Sequence, residues 1–151
     1  MAAMDGSCEC GAVRYRMNGA PIFVNCCHCR DCQKITGSAF ALNAMIEADR
    51  IEIIKGEESI VSGADAARCA TCQTLLWAEH RLFGDSIRFL RVGTLDEAEQ
   101  ITPDAHFFVR SKHPWVTVPP QLPAFETLPG EEDPPLLDEA AAARLKAARG
   151  G

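Results

Sequence analysis

A chain of 151 residues, 47% hydrophobic and 24% charged, fits one globular domain large enough to bury its own core. No run of about 20 apolar residues is present, which excludes a membrane-spanning helix. The formal charge of -6 and the lack of a basic stripe argue against general nucleic-acid binding, which needs cations to displace the counterions of phosphate.

The opening residues, Met1-Ala2-Ala3-Met4-Asp5-Gly6, carry neither a basic n-region nor an apolar h-region. The expectation is therefore no secretory signal, a cytoplasmic location and reduced thiols. In that setting, 8 cysteines arranged as C-x-C, C-x-C-x-x-C and C-x-x-C point to metal ligation rather than to disulfides. Free cysteine often serves as a small buried hydrophobe, but that role does not call for ligand spacing three times over.

Cys8-Glu9-Cys10-Gly11 reads as a turn leading into Val13, Tyr15 and Met17, which alternate with polar residues as a strand does. Asn18-Gly19 is expected to turn the chain into a second strand, Ile22-Phe23-Val24, closing a hairpin. The central stretch Asn25-Cys26-Cys27-His28-Cys29-Arg30-Asp31-Cys32-Gln33-Lys34 concentrates several thiols in one loop. After it, residues 33–36 predict one helical turn capped by Gly37.

Residues 40–46 and 51–54 are apolar and β-branched enough for strands. Cys69-Ala70-Thr71-Cys72 forms a second two-cysteine knuckle that runs into a strand over residues 74–78. Further strands are expected at 86–92, 106–109 and 115–118, with one acidic helical turn at 96–99. Residues 119–135, rich in proline and acid, predict an extended strap and a short linker. Residues 138–149 predict a helix, with Asp138 and Glu139 at its positive end and Lys146 and Arg149 at its negative end. Leu136, Leu137 and Leu145 must then dock on this domain or on a second copy. Many strands and little helix make a mainly β domain.

A tetrahedral site assembled from two distant knuckles is the usual plan for structural zinc, which assigns Cys8, Cys10, Cys69 and Cys72 to a first ion. The central cluster has no partner pair elsewhere. Cys27 and Cys29 fall on one side of an extended backbone, Cys32 follows at C-x-x-C spacing, and Cys26 points away. Three thiolates with a vacant fourth position suit a catalytic zinc, on which an added thiol would be held as thiolate to attack an electrophilic carbon. The alternative is that Cys26, His28 or Asp31 closes the site and nothing reacts there. Alternation turns His28 away from the metal, to an outer or exposed position.

Arg30 and Lys34 are candidates to recognise substrate carboxylates, the bland reading being a solvated basic pair. His106 is read as the wall of a pocket lined by residues 106–115, or else as a buried, satisfied histidine. His80 and His113 are read as surface residues.

Four stretches carry a family resemblance: residues 6–15 around Cys8-Glu9-Cys10-Gly11, Cys27-His28-Cys29-Arg30-Asp31-Cys32-Gln33-Lys34 followed by Gly37-Ser38-Ala39-Phe40, Cys69-Ala70-Thr71-Cys72, and His106 through Pro114-Trp115. As an ordered set over residues 5–126 they resemble the glutathione-dependent formaldehyde-activating enzyme and centromere protein V family. The resemblance implies a zinc-containing β-tent fold, shared with a guanine-nucleotide-exchange chaperone. The expected division is a zinc-binding β domain over residues 1–126, with 127–151 as an acidic, proline-rich linker and C-terminal helix belonging to the same domain or to an oligomer contact such as a homodimer. It implies two zinc ions, one on Cys8, Cys10, Cys69 and Cys72, the other on Cys27, Cys29 and Cys32. The implied activity is formation of S-hydroxymethylglutathione from glutathione and formaldehyde, a carbon-sulfur lyase reaction in reverse. Where the family pattern has Cys-Pro-x-Cys-Gly, this chain has Cys69-Ala70-Thr71-Cys72-Gln73, and Cys26 adds a thiol beside the central loop. The rival reading is a non-catalytic, zinc-stabilised binding module whose C-terminal helix docks a partner.

Overall fold

The computed structural model describes residues 2–150; Met1 and Gly151, which the sequence reading placed at the ends of its two segments, lie outside them. A small antiparallel sheet has the order β1-β2-β5, from Met4–Ser7, Arg14–Met17 and Ile51–Lys55. A larger sheet has seven strands: β3 (Phe23–Cys27), β4 (Ala41–Glu47), β6 (Ile60–Ser62), β7 (Ala66–Cys69), β8 (Leu75–His80), β9 (Gly84–Arg91) and β10 (Ala105–Phe107). Its order is β10-β3-β4-β9-β8-β7-β6. Every pair in it is antiparallel except β10 on β3, which is parallel. Two α-helices, α1 (Arg30–Thr36) and α2 (Glu139–Ala148), and five short 3₁₀ turns complete the described residues, and no helix is long and apolar enough to cross a membrane.

The alternation read at the start of the chain sets the core. Val13, Tyr15 and Met17 are fully buried and pack with Val24, Ala44, Ile46, Leu76, Trp77 and Leu90 between the two sheets. Tyr15 meets Trp77 edge to face, with centroids 6.4 Å apart. Its hydroxyl donates to Thr94 Oγ1 at 2.6 Å, whose own proton goes to the Arg91 carbonyl. Gly6 lies against the Tyr15 ring, where a Cβ would come within 2.4 Å of it, so no larger residue fits without repacking.

The expected hairpin between residues 13–17 and 22–24 does not form. Both edges of β2 are already taken, by β1 (Met4↔Met17) and β5 (Met17↔Ile51), so residues 18–22 carry the chain across to the other sheet. The strand expected at 115–118 is also absent. Pro114, Pro119 and Pro120 crowd that stretch, a proline offers no amide to a ladder, and Trp115 stands 73% exposed.

The strap runs along the free edge of β10: the His106 amide donates to the Pro123 carbonyl at 2.9 Å and the Phe125 amide to the His106 carbonyl at 3.0 Å. Beyond it, α2 begins at Asp138, whose carboxylate accepts from the Ala141 amide at 2.7 Å. Leu136, Leu137, Ala141 and Leu145 pack on Ile22, Phe23, Ile87 and Ala105 of this same chain. Arg144 locks the helix down with two hydrogen bonds to the Glu47 carboxylate, at 2.8 and 2.7 Å.

Candidate metal centre and substrate cleft

Two knuckles of the same plan approach one another. In the first, the Cys8 amide bonds the Val13 carbonyl, the Val13 amide points at Cys8 Sγ at 3.3 Å, and Gly11 takes a left-handed φ of 79°. In the second, the Cys69 amide bonds the Thr74 carbonyl, the Thr71 amide points at Cys69 Sγ at 3.4 Å, and Gln73 takes φ 65°. Each left-handed residue directly follows the second cysteine of its knuckle. The Sγ atoms of Cys8, Cys10, Cys69 and Cys72 all lie within 4.8 Å of one another, with Cys8 to Cys10 at 3.7 Å and Cys10 to Cys69 at 3.8 Å. A tetrahedron of sulfurs on 2.3 Å arms has edges of about 3.8 Å, so the donor set fits a zinc ion. The Thr74 hydroxyl, then the Cys10 and Thr74 amides, hold the Cys72 thiol down to about 5.

Cys27, Cys29 and Cys32 also converge within 4.8 Å. Cys27 ends β3, Cys29 is the N-cap of α1, and Cys32 sits in the helix's first turn with its amide 3.3 Å from Cys29 Sγ. Gly37 closes α1 at φ 64°, as the sequence predicts. The Cys32 thiol, outweighing burial and aided by Cys29 and the charge of Arg91, draws Cys27 down to about 6, while Cys27 first, then burial and Cys29, push Cys32 up. This trio and the foursome could each hold a metal ion.

Cys26 points to the other face of β3, as alternation requires, and there it meets two histidines. Its Sγ is 3.5 Å from His28 Nε2, which is 3.0 Å from His106 Nδ1, and the two rings stack with centroids 5.3 Å apart. All three side chains are buried. Burial first, then the charges of His106 and Lys112, pulls His28 down to about 4; burial alone lowers His106, and burial drives Cys26 up to about 12. Both imidazoles are thus neutral, and either tautomer of the pair leaves one ring N–H without a partner, since His28 Nδ1 and His106 Nε2 meet none among the described residues.

Of the weaker candidates, His80 is exposed and His113 is half-buried, stacked on Trp115 at 5.8 Å. Arg30 and Lys34 come together with His113 and Trp115 around an open depression of about 420 Å³. His106 does not join them; it is buried against His28. Sequence reasoning missed Arg91. Its guanidinium borders a cleft of about 430 Å³ beside α1, together with Arg68, Phe40 and Leu75. Burial lowers its pKa, offset in part by the thiols of Cys32, Cys27 and Cys29.

The family model for glutathione-dependent formaldehyde-activating enzyme matches residues 3–111. A Halomonas elongata protein whose provisional name is glutathione-dependent formaldehyde-activating enzyme is 24% identical over 126 residues, covering 76% of this chain and 80% of that one. A crystal structure of a Rhodobacter sphaeroides protein superimposes with a TM-score of 0.50 at 20% identity, covering 66% of this chain and 92% of that one, a likeness of fold.

Proposed function

The chain belongs to the glutathione-dependent formaldehyde-activating enzyme family, and from that premise we propose a zinc-dependent, carbon-sulfur lyase-like enzyme. It would add glutathione or a similar thiol, reversibly, to formaldehyde or another small aldehyde. The observation that carries this reading is the convergence of Cys27, Cys29 and Cys32 within 4.8 Å, with no fourth Cys, His, Asp or Glu joining the group among the described residues. Three soft thiolates suit zinc and leave one tetrahedral position for a substrate sulfur. Cys27, Cys29 and Cys32 would hold such an ion, which would supply stabilisation of an added thiol as thiolate at neutral pH.

The protein's own part is to fix those three sulfurs. The β3–β4 ladder sets Cys27, opposite Ala41, and α1 sets Cys29 and Cys32. Arg91 tempers their negative charge. In the reaction the substrate sulfur attacks the carbonyl carbon and a C–S bond forms. The carbonyl π pair moves to oxygen, which takes up one proton in place of the one the thiol released. Reversal is the lyase direction. Cys8, Cys10, Cys69 and Cys72 would hold the second, structural ion, giving two per chain. Eight free cysteines with such roles suit a reducing cytoplasm.

Calorimetry on zinc-loaded protein tests this. Glutathione is expected to bind with release of a proton; S-methylglutathione, which cannot ligate as a thiolate, is expected to bind more weakly and without it. Cys29→Ser is expected to retain the fold and lose turnover with glutathione and formaldehyde. Equal binding of both ligands with no proton release, or full turnover in folded Cys29→Ser, would refute the role.

A further inference from the structure

Arg91 ends β9 in one cross-strand row with Asn43 of β4 and Asn25 of β3. Cys27 lies two residues beyond Asn25 on β3, hence on the same face and one step along. Within the row Asn43 Nδ2 donates to Asn25 Oδ1 at 3.1 Å, but Asn43 Oδ1 is buried without a partner. Nε and Nη1 of Arg91 are buried without one too, and no ion pair to its guanidinium is formed among the described residues. A guanidinium stays charged in a protein and carries five donors, so leaving it half-buried without a hydrogen-bond partner costs stability that the nearby sulfurs of Cys32, Cys27 and Cys29 offset only in part.

The cleft explains the arrangement. Arg91 and Arg68 both line it, the Arg68 side chain making among the described residues a single hydrogen bond, to the Gln73 carbonyl at 3.3 Å, and the two guanidiniums repel. Phe40 and Leu75 give it apolar walls, and no Asp or Glu borders it. Two cations facing one space with no anion between them complement an organic acid. The cleft also takes in Ala41, the cross-strand partner of Cys27, and Ile35 and Thr36 of the helix that carries Cys32, so it opens beside the three thiols. We infer that Arg91 is the carboxylate anchor of the thiol substrate, with the cleft between α1 and the turn after β9 seating the rest of it. This deepens the thiol-accepting reading and rests on it.

S-methylglutathione separates the two, because it keeps both carboxylates and supplies no thiolate. Titrated into zinc-loaded wild type and Arg91→Met, it is expected to lose affinity in the variant on the order of 10- to 100-fold, the worth of a charge-assisted bidentate contact. Arg91→Lys is expected to recover part of the loss. The diethyl ester of S-methylglutathione is expected to bind wild type as weakly as the acid binds Arg91→Met. Removal of an unpaired, desolvated cation should leave the melting midpoint of Arg91→Met at or above that of wild type. Equal affinity of the acid for wild type and Arg91→Met, equal affinity of acid and ester for wild type, or no binding of the acid to wild type would overturn the anchor. A lowered midpoint with unchanged affinity would assign Arg91 to the fold instead. Thiol acceptance is read separately, from the thiolate-to-metal absorption of cobalt-substituted protein. A spectrum indifferent to glutathione would remove that reading while leaving the carboxylate measurement to stand by itself.

Discussion

Cys69→Ala tests the link between the two knuckles, because a metal shared by them cross-links the unfolded chain as well as the folded one. Cys10 and Cys69 are 59 residues apart. Closing a loop of that size removes about 4 kcal/mol of chain entropy from the unfolded state, by the relation that holds for a covalent bridge. The charge left on three unneutralised thiols adds to the loss. For a chain of this length each kcal/mol moves the midpoint by about 2–4 °C, so a fall of roughly 10–15 °C is expected in a thermal melt. Chelation of the wild type should produce a similar fall. Cys26→Ala is the control: Cys26 is as buried as Cys69, at 2% exposure against 0%, yet belongs to neither all-thiol group. Its loss is expected to cost only about 1 kcal/mol, the usual price of a small core truncation. Metal analysis should give one ion per chain in Cys69→Ala and two in Cys26→Ala. If Cys69→Ala melts no lower than Cys26→Ala, or if chelation leaves the melt unchanged, the knuckles are not joined by a metal.

Two further changes follow from local geometry. Gln73 is exposed and holds φ 65°, so Gln73→Gly is expected to stabilise by about 0.5–1 kcal/mol, read as a higher melting midpoint with metal content unchanged; a fall would show that the Gln73 amide bond to the Ala70 carbonyl outweighs the backbone strain. Burial raises the Glu47 carboxyl, but the Arg144 hydrogen bonds, its own amide and the charges of Arg144 and Arg50 outweigh burial and hold it below the usual carboxylate range. A depressed folded pKa stabilises fully above the unfolded value of about 4.3 and loses that contribution as pH falls through the folded value. Arg144→Ala should therefore cost about 1 kcal/mol at pH 7 and progressively less below pH 4, and a cost independent of pH would assign Arg144 to packing alone.

The nearness of thiols within each knuckle was legible because it is carried by spacing: C-x-C and C-x-x-C bring their own thiols together locally, while the fold brings Cys8 and Cys10 to Cys69 and Cys72. Val13, Tyr15 and Met17 were legible for the same reason, since period-two burial is a local property. Partner choice is not local. Nothing near Asn18-Gly19 says that β5, more than 30 positions downstream, claims the edge of β2 that the hairpin would need. β6 and β7 escaped notice because Ile60–Ser62 and Ala66–Cys69 have little apolar alternation; cross-strand bonds hold them. Alternation turned Cys26 away from the other thiols but could not name His106, 78 residues from His28, as what it would meet. Arg91 gave no sequence signal, because an arginine ending a strand is ordinary until its missing partners are seen.

The strap along β10 also decides how this molecule can meet others of its kind. A sheet recruits foreign strands through unpaired edges, and one end of the seven-stranded sheet is sealed by the chain's own backbone from Pro123 to Thr127. The opposite end, β6, is three residues long and carries a single exposed branched residue, Val61. A template that short nucleates fibrils poorly. Trimming the strap would bare β10, itself three residues long, as a second open edge, so the strap and the shortness of both edge strands together keep the sheet from growing by strand addition while leaving the cysteines untouched.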